Sequence, residues 1–142
     1  MTSTAHSVRL SPYWRSTNTG LDGTGAFRLL YGGYVLLPII VGFDKFAEVL
    51  ANWSGYLAPI VTDNVPLRPE MLMRIVGVVE IAAGLLVLLR PRLGAYLVAV
   101  WLVAVIFNLA ALGHYWDVAL RDFGLLLGAL ALARLSPRRP LR

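Results

Sequence analysis

The sequence predicts an all-α fold, namely an integral membrane bundle of four transmembrane helices. Of its 142 residues, 58% are hydrophobic and only 15% are charged, whereas about a quarter of the residues of a typical soluble domain are charged. Four long apolar segments follow one another with short connections, and a spanning helix needs about 20 residues. We therefore expect one transmembrane domain over residues 27–135, between a polar segment, 1–26, and a basic tail, 136–142.

The first apolar segment predicts a helix over 27–50 that bends at Pro38, because proline removes a backbone donor inside a helix. The polar segment before it has no apolar core of the kind that a secretory signal peptide carries, so we expect it to stay on the mature protein. The following segment, 51–69, combines tryptophan, tyrosine and proline residues, which is typical of an interfacial loop with aromatic anchors.

Three further helices are predicted. The second covers 70–89 and is followed by a short basic turn, 90–92. The third covers 93–113 and has the clearest hydropathy, since Asn108 is its only strongly polar side chain. The fourth covers 117–135 and carries charged residues in its first turns, so it would span a bilayer only if its neighbours accept them.

Two pairs of glycines mark faces where helices are expected to pack closely. Gly124 and Gly128 form a GxxxG pair in the fourth helix, and Gly77 and Gly84 lie on one face of the second. Glycine lets two helix backbones approach each other, so these positions predict helix contacts and no chemistry.

The distribution of lysine and arginine predicts the orientation of the helices. Nine of the thirteen flank the same ends of the predicted helices: Arg9, Arg15, Arg28, Arg90, Arg92, Arg134, Arg138, Arg139 and Arg142. Both termini are therefore expected in the cytoplasm, with the protein in a bacterial inner membrane and the long loop outside. Because the arginines flank apolar segments, the net charge of +5 indicates topology, and we expect membrane lipid as a partner but no nucleic acid.

Nearly all the polar side chains at membrane depth lie in the outer half of this topology. Ionisable groups there cost several kcal/mol unless they pair or reach water. Two interpretations follow: a polar pocket for a proton, an ion or a quinone-like ligand, or a structural network of salt bridges. The candidate pocket residues are Asp44, Lys45, Glu48, Arg74, Glu80, Asn108, His114, Asp117, Arg121 and Asp122.

Helical spacing predicts which of these side chains face inward. Asp44 and Glu48 lie four residues apart on one stripe of the first helix. Asp117 and Arg121 share a face with the glycine pair of the fourth helix, and we expect both stripes to point to the bundle interior.

Glu80 is the deepest of the candidates. No basic residue lies three or four positions from it in its own helix. Its partner must therefore come from another helix, with Lys45 the first choice, or else Glu80 is protonated.

No cofactor held covalently or by metal ligation is expected. The chain has no cysteine, which excludes thiolate metal sites, iron–sulfur clusters and thiol relays. His114 is a lone intramembrane histidine without the second ligand that a buried haem usually needs, so an interfacial hydrogen-bonding role is predicted. A quinone or a lipid stays as the expected class of ligand, and no catalytic residue can be assigned.

The motifs of the four predicted helices resemble those of the DoxX-like family, over residues 28–135. The resemblance rests on short segments: Arg28, Gly32-Gly33, Gly42-Phe43-Asp44-Lys45-Phe46, Gly77-Val78-Val79-Glu80, Gly84-Leu85-Leu86, and Tyr115-Trp116-Asp117 with Arg121-Asp122. It implies a four-helix bundle in which Lys45 and Glu80 match positions of the family pattern. Members of the family include a small subunit of a thiosulfate:quinone oxidoreductase and proteins linked with oxidative-stress defence, but most have no assigned activity.

Three functional hypotheses follow from the sequence. The leading one is a small accessory subunit that packs against other membrane protein subunits of a larger respiratory or redox complex and is not catalytic on its own. The first alternative is a quinone-interacting oxidoreductase component with a periplasm-facing pocket around Lys45, Glu80 and Asn108. The second alternative is a small transporter, which would need a pathway to the inner side.

Overall fold

A computed structural model describes residues 23–136, and all the secondary structure in this range is helical. The predictions for residues 1–22 and 137–142 lie outside the described residues. The elements, in chain order, are α1 (Gly23–Ala47), a 3-10 helix (Trp53–Tyr56), α2 (Pro59–Thr62), α3 (Pro69–Leu89), α4 (Pro91–Leu112) and α5 (Trp116–Leu135). The predicted all-α class is therefore confirmed for the described part of the chain.

Three of the described helices, α1, α3 and α4, are long and apolar enough to cross a membrane, judged by length and composition. Helix α5 has 20 residues but carries an acidic residue in its first turn and Arg134 in its last. It also contains Arg121 and Asp122, which lower its hydropathy further.

Helix α1 ends at Ala47, whereas the sequence predicted an end at Leu50. The carboxylate of Asp44 accepts hydrogen bonds from the backbone N–H groups of Val49 and Leu50 at 3.1 Å. These two N–H groups are therefore satisfied without carbonyl partners in the helix. Glu48, which lies between the helix end at Ala47 and Val49, has a φ of 53°, in the left-handed region that commonly follows a helix end. At its other end α1 begins at Gly23, earlier than predicted, and it continues as helix through Pro38.

The remaining long helices have clear local start and stop signals. Pro69 begins α3 and Pro91 begins α4, and proline suits the first turn because the N–H that it lacks would have no partner there. Gly113, with a φ of 79°, ends α4 in the left-handed conformation that glycine adopts without strain.

The long helices pack in the order α1, α3, α4, α5. Helix α1 packs most extensively on α3, and α4 on α5, while α1 and α5 contact each other least. The Tyr31 hydroxyl donates to the carbonyl of Leu88 at 2.9 Å, so the start of α1 lies beside the end of α3. We call this end of the molecule, with the Arg90 turn, the turn end, and the opposite end, with residues 48–68, the loop end.

Glycines allow α1 and α3 to approach closely. A Cβ atom on Gly42 or on Gly77 would lie 2.7 Å from the carbonyl oxygen of the other residue, and one on Gly84 would lie 2.9 Å from the carbonyl oxygen of Val35. The predicted helix contacts at Gly77 and Gly84 are therefore confirmed. The prediction for Gly124 is wrong within this chain, because it is exposed and has no described residue within 4 Å of its Cβ direction.

The buried core lies at the turn end. It is built largely from alanine, valine and leucine of all four long helices, with Tyr34 at the edge nearer the cavity. The core residues are Tyr34, Val35, Ala83, Val87, Ala95, Val98, Ala99, Ala129, Leu132 and Ala133. Small side chains let the helices meet closely here. At the loop end the helices enclose a cavity instead.

Candidate functional site

A cavity of about 760 Å³ lies between the four long helices in the half of the molecule towards the loop end. Its walls are mainly apolar and include Pro38 and Val41 of α1, Met73 of α3, Val105 of α4 and Leu125 of α5. Cavities of this size, lined by apolar groups with a few polar ones, are typical of sites for small molecules.

An ion pair between α1 and α3 forms the polar centre of the cavity. The Lys45 ammonium lies 2.6 Å from Oε2 of Glu80, and the two side chains are only 4% and 14% exposed. The close approach of Gly42 and Gly77, one turn before each partner, brings the two helices near enough for this contact. The predicted pairing of Glu80 with Lys45 is therefore confirmed.

Two aromatic residues border this ion pair. The ring of Trp53 lies over the ammonium of Lys45, with 4.0 Å between the nitrogen and the ring centroid, which is the geometry of a cation–π contact. The buried indole nitrogen of Trp101 lies close to the Glu80 carboxylate but forms no hydrogen bond of normal geometry with any described residue. Buried donors without partners are rare in folded proteins, so we expect this N–H to donate either to the Glu80 carboxylate beside it or to an acceptor inside the cavity.

Trp101 is not among the candidate residues predicted from the sequence, although it lies in the cavity wall. A signal was present, because Trp101 lies two helical turns before Asn108 and therefore on the same face of α4. Both residues line the cavity.

The first turns of α5 contribute a second charged pair. Asp122 is buried and accepts from the guanidinium of Arg121 at 3.0 Å, while the Arg121 side chain is 65% exposed. Both residues line the cavity, so the two predicted candidates lie in the site, with Asp122 inside and Arg121 at its margin.

Asn108 fastens the loop over the cavity. Its Oδ1 accepts a hydrogen bond from the N–H of Ala58 at 2.9 Å, and its Nδ2 donates to the carbonyl of Tyr56 at 2.5 Å. Ala58 is completely buried. Asn108 thus satisfies two backbone groups of a buried loop segment, which is a structural role that spacing alone did not indicate.

Asp44 fastens the other side of the same loop. Besides its bonds to the loop backbone, its Oδ2 accepts from the indole N–H of Trp53 at 2.7 Å. This bond orients the Trp53 ring over Lys45. Asp44 is buried, as predicted, but it acts through Trp53 and the loop and does not itself line the cavity.

Besides the buried Asp44, four predicted candidates lie outside the cavity, and these four are exposed: Glu48, Arg74, His114 and Asp117. Glu48 follows the end of α1 and so leaves the helical stripe that it would share with Asp44. Helix α5 is rotated so that Asp122 turns inward, and the prediction that Asp117 faces the interior is wrong. The ring of His114 packs against Tyr115, 4.5 Å between centroids.

The predicted salt-bridge network does not form as a single unit among the described residues. They contain two ion pairs, Lys45–Glu80 and Arg121–Asp122, and Arg74 takes part in neither. Arg74 lies instead on the outer surface of α3, in a shallow depression with Arg68 and Glu70.

The chain matches no protein-family model, no curated protein and no solved structure in the three comparisons made. Its resemblance to the DoxX-like family therefore stays a prediction.

Proposed function

We propose that the chain is an integral membrane protein whose four long helices all span a bacterial inner membrane, with both termini in the cytoplasm. Three helices have the required length and apolar composition. Helix α5 packs between α4 and α1 and turns Asp122 inward, so the acidic group is removed from the surface that would face lipid. In this orientation the loop end and its cavity lie in the outer half of the bilayer.

We further propose that the cavity binds a quinone-like ligand, with an apolar body and hydrogen-bond acceptors on its head group. The observation that carries this proposal is the buried Trp101 N–H beside the Lys45–Glu80 pair in an otherwise apolar cavity. A quinone carbonyl can accept from this donor, and the Trp53 ring offers an aromatic face nearby.

Equilibrium binding of a short-chain ubiquinone analogue tests this proposal. The protein is reconstituted in lipid nanodiscs, and nanodiscs of the same lipid without protein correct for partitioning. Saturable binding is expected. Trp101→Phe, which keeps a ring but removes the N–H, should weaken the affinity about tenfold, the equivalent of one hydrogen bond.

Trp116→Phe is the matched control, because Trp116 is exposed at the start of α5 and does not line the cavity. Its affinity should equal that of the unaltered protein. Absence of saturable binding, or equal affinity in both variants, would reject the proposed site.

A second candidate function is the accessory subunit, for which an exposed glycine is the specific observation. Gly124 lies on the outer surface of α5 with no described residue near its Cβ direction, which suits close approach of a helix from another subunit. Purification in mild detergent should then retain a membrane partner, and Gly124→Leu should release it. The two functions are compatible, because Gly124 does not line the cavity.

The transporter hypothesis has less support. A pathway would have to continue from the cavity to the turn end, where the described helices are packed around alanine and valine side chains such as Ala83, Val87 and Ala129.

A further inference from the structure

The loop covers the cavity at the loop end and is fastened there from two sides. Asn108 of α4 holds the backbone of Tyr56 and Ala58, and Asp44 of α1 holds the Trp53 indole and the start of the loop. Opening this route from water would break these hydrogen bonds in a buried setting, and buried backbone groups are costly to leave without partners.

The loop also covers the seam between α3 and α4. These helices are joined by a tight turn at the turn end, and towards the loop end the 3-10 helix contacts both of them while α2 packs on α4. Val61 of α2 and Leu57 of the loop form part of the cavity wall on this side.

At the seam between α1 and α5 the loop contributes Tyr56, which stacks on Tyr115, just before α5, with 4.7 Å between the ring centroids. Among the four neighbouring pairs of long helices, α1 and α5 share the smallest contact. Leu37 of α1 lines the cavity and is nevertheless 53% exposed, and Arg121 of α5 lines it with a side chain that is 65% exposed. The cavity wall therefore reaches the outer surface between these two helices. It also does so at Leu50, after the end of α1, and at Ala104 of α4, which line the cavity and are exposed.

On the side of the turn end, the opening between α1 and α5 is bounded by a contact of Tyr34. The Tyr34 hydroxyl of α1 donates to the carbonyl of Leu125 in α5, and its ring packs against Gly128. Towards the turn end, α1 and α5 are again in contact where Gly23 lies beside Leu135. The gap is thus confined to the part of the seam level with the cavity.

We propose that the ligand is a molecule dissolved in the bilayer, which enters sideways between α1 and α5, and is not a water-soluble solute that enters from the loop end. This inference rests on the proposed function. The exposed guanidinium of Arg121, held by Asp122 at 3.0 Å, stands at the mouth of the opening, where it can guide the acceptor groups of the head group past an otherwise apolar entrance.

A plug attached at the opening tests the route. The chain has no cysteine, so Leu37→Cys offers a single thiol for modification with N-phenylmaleimide. Leu36→Cys is the matched control, because Leu36 is the neighbouring leucine, is 58% exposed and does not line the cavity. Stopped-flow quenching of tryptophan fluorescence by the short-chain ubiquinone analogue then reports entry and exit in nanodiscs.

Modification at position 37 should slow association by about tenfold, because a plug at the entrance raises the barrier to entry. The Kd is measured beside it, because Leu37 also lines the cavity. Modification at position 36 should leave the association rate unchanged. An unchanged association rate for the position 37 adduct would overturn the lateral route, and so would a weaker Kd with an unchanged association rate, which would place the adduct in the binding site.

A second pair on the opposite wall guards against a local effect on α1. Val118 of α5 lines the cavity, whereas Leu120 is 73% exposed and does not. The modified Val118→Cys protein should show the same slowing of association, and the modified Leu120→Cys protein should not. Failure of the unaltered protein to bind the quinone would instead reject the proposed function, so the two failures are distinguishable.

Discussion

Replacing Glu80 by glutamine removes the negative charge that Lys45 contacts at 2.6 Å and leaves a lysine whose side chain is only 4% exposed. Removing one partner of a buried ion pair costs about 3–5 kcal/mol, because the remaining charge is desolvated without compensation. The Trp53 ring, 4.0 Å from the ammonium, makes the same cation–π contact in both proteins, so this contact does not offset the loss. We therefore expect Glu80→Gln to lower the free energy of unfolding by about 3–5 kcal/mol.

Titration with sodium dodecyl sulfate in mixed micelles, followed by circular dichroism of the helices, measures this free energy. Glu70→Gln is the control, because Glu70 is an exposed residue in the first turn of the same helix and should change stability by about 0.3–1 kcal/mol through the helix dipole. The double variant Lys45→Met/Glu80→Gln removes both charges and should be more stable than Glu80→Gln alone.

Two results would refute this reasoning. The first is a Glu80→Gln protein as stable as Glu70→Gln, which would mean that water reaches Lys45 in the cavity and screens its charge. The second is a double variant no more stable than Glu80→Gln, which would mean that the loss does not come from an unpaired lysine.

Three further predictions concern the loop, the end of α1 and the topology. Asn108→Leu leaves two loop backbone groups without partners and should lower the free energy of unfolding by about 2–4 kcal/mol. Chymotrypsin should then cleave the loop faster, and an unchanged cleavage rate would contradict the role of Asn108 in holding the loop. Glu48→Gly relieves a left-handed φ of 53° and should stabilise the protein by about 0.5–1 kcal/mol in the same detergent titration, whereas a loss of stability would argue against strain there. In intact cells Asn64→Cys, at an exposed loop position, should react with an impermeant thiol reagent, while Arg90→Cys, exposed in the turn between α3 and α4, should not; the reverse pattern would invert the topology.

The polar residues of the loop end divide into two groups by what they contact. Asp44 and Asn108 form hydrogen bonds with residues of the loop and so hold it in place. Lys45 and Glu80 face the cavity and pair across two helices. The sequence left open a pocket and a network of salt bridges, whereas Asp44 and Asn108 have a third role, the support of the loop through hydrogen bonds.

The sequence by itself determined the helical class, the apolar segments and the close helix contacts at Gly77 and Gly84. Long apolar runs, prolines at helix starts and glycines are local signals, so their consequences are readable without coordinates. The pairing of Glu80 with Lys45 was also predictable, because Glu80 lacks a basic neighbour in its own helix and a buried charge needs a partner.

Only the tertiary structure decided which faces turn inward and where the loop lies. When a helix is apolar on nearly all sides, hydropathy does not specify its rotation, so the inward position of Asp122 and the exposure of Asp117 depend on how α5 packs on α4 and α1. The cavity likewise depends on contacts between distant segments. Asn108 accepts a hydrogen bond from Ala58 only because the packing of the helices brings α4 and the loop together. The local sequence around either residue does not predict this contact.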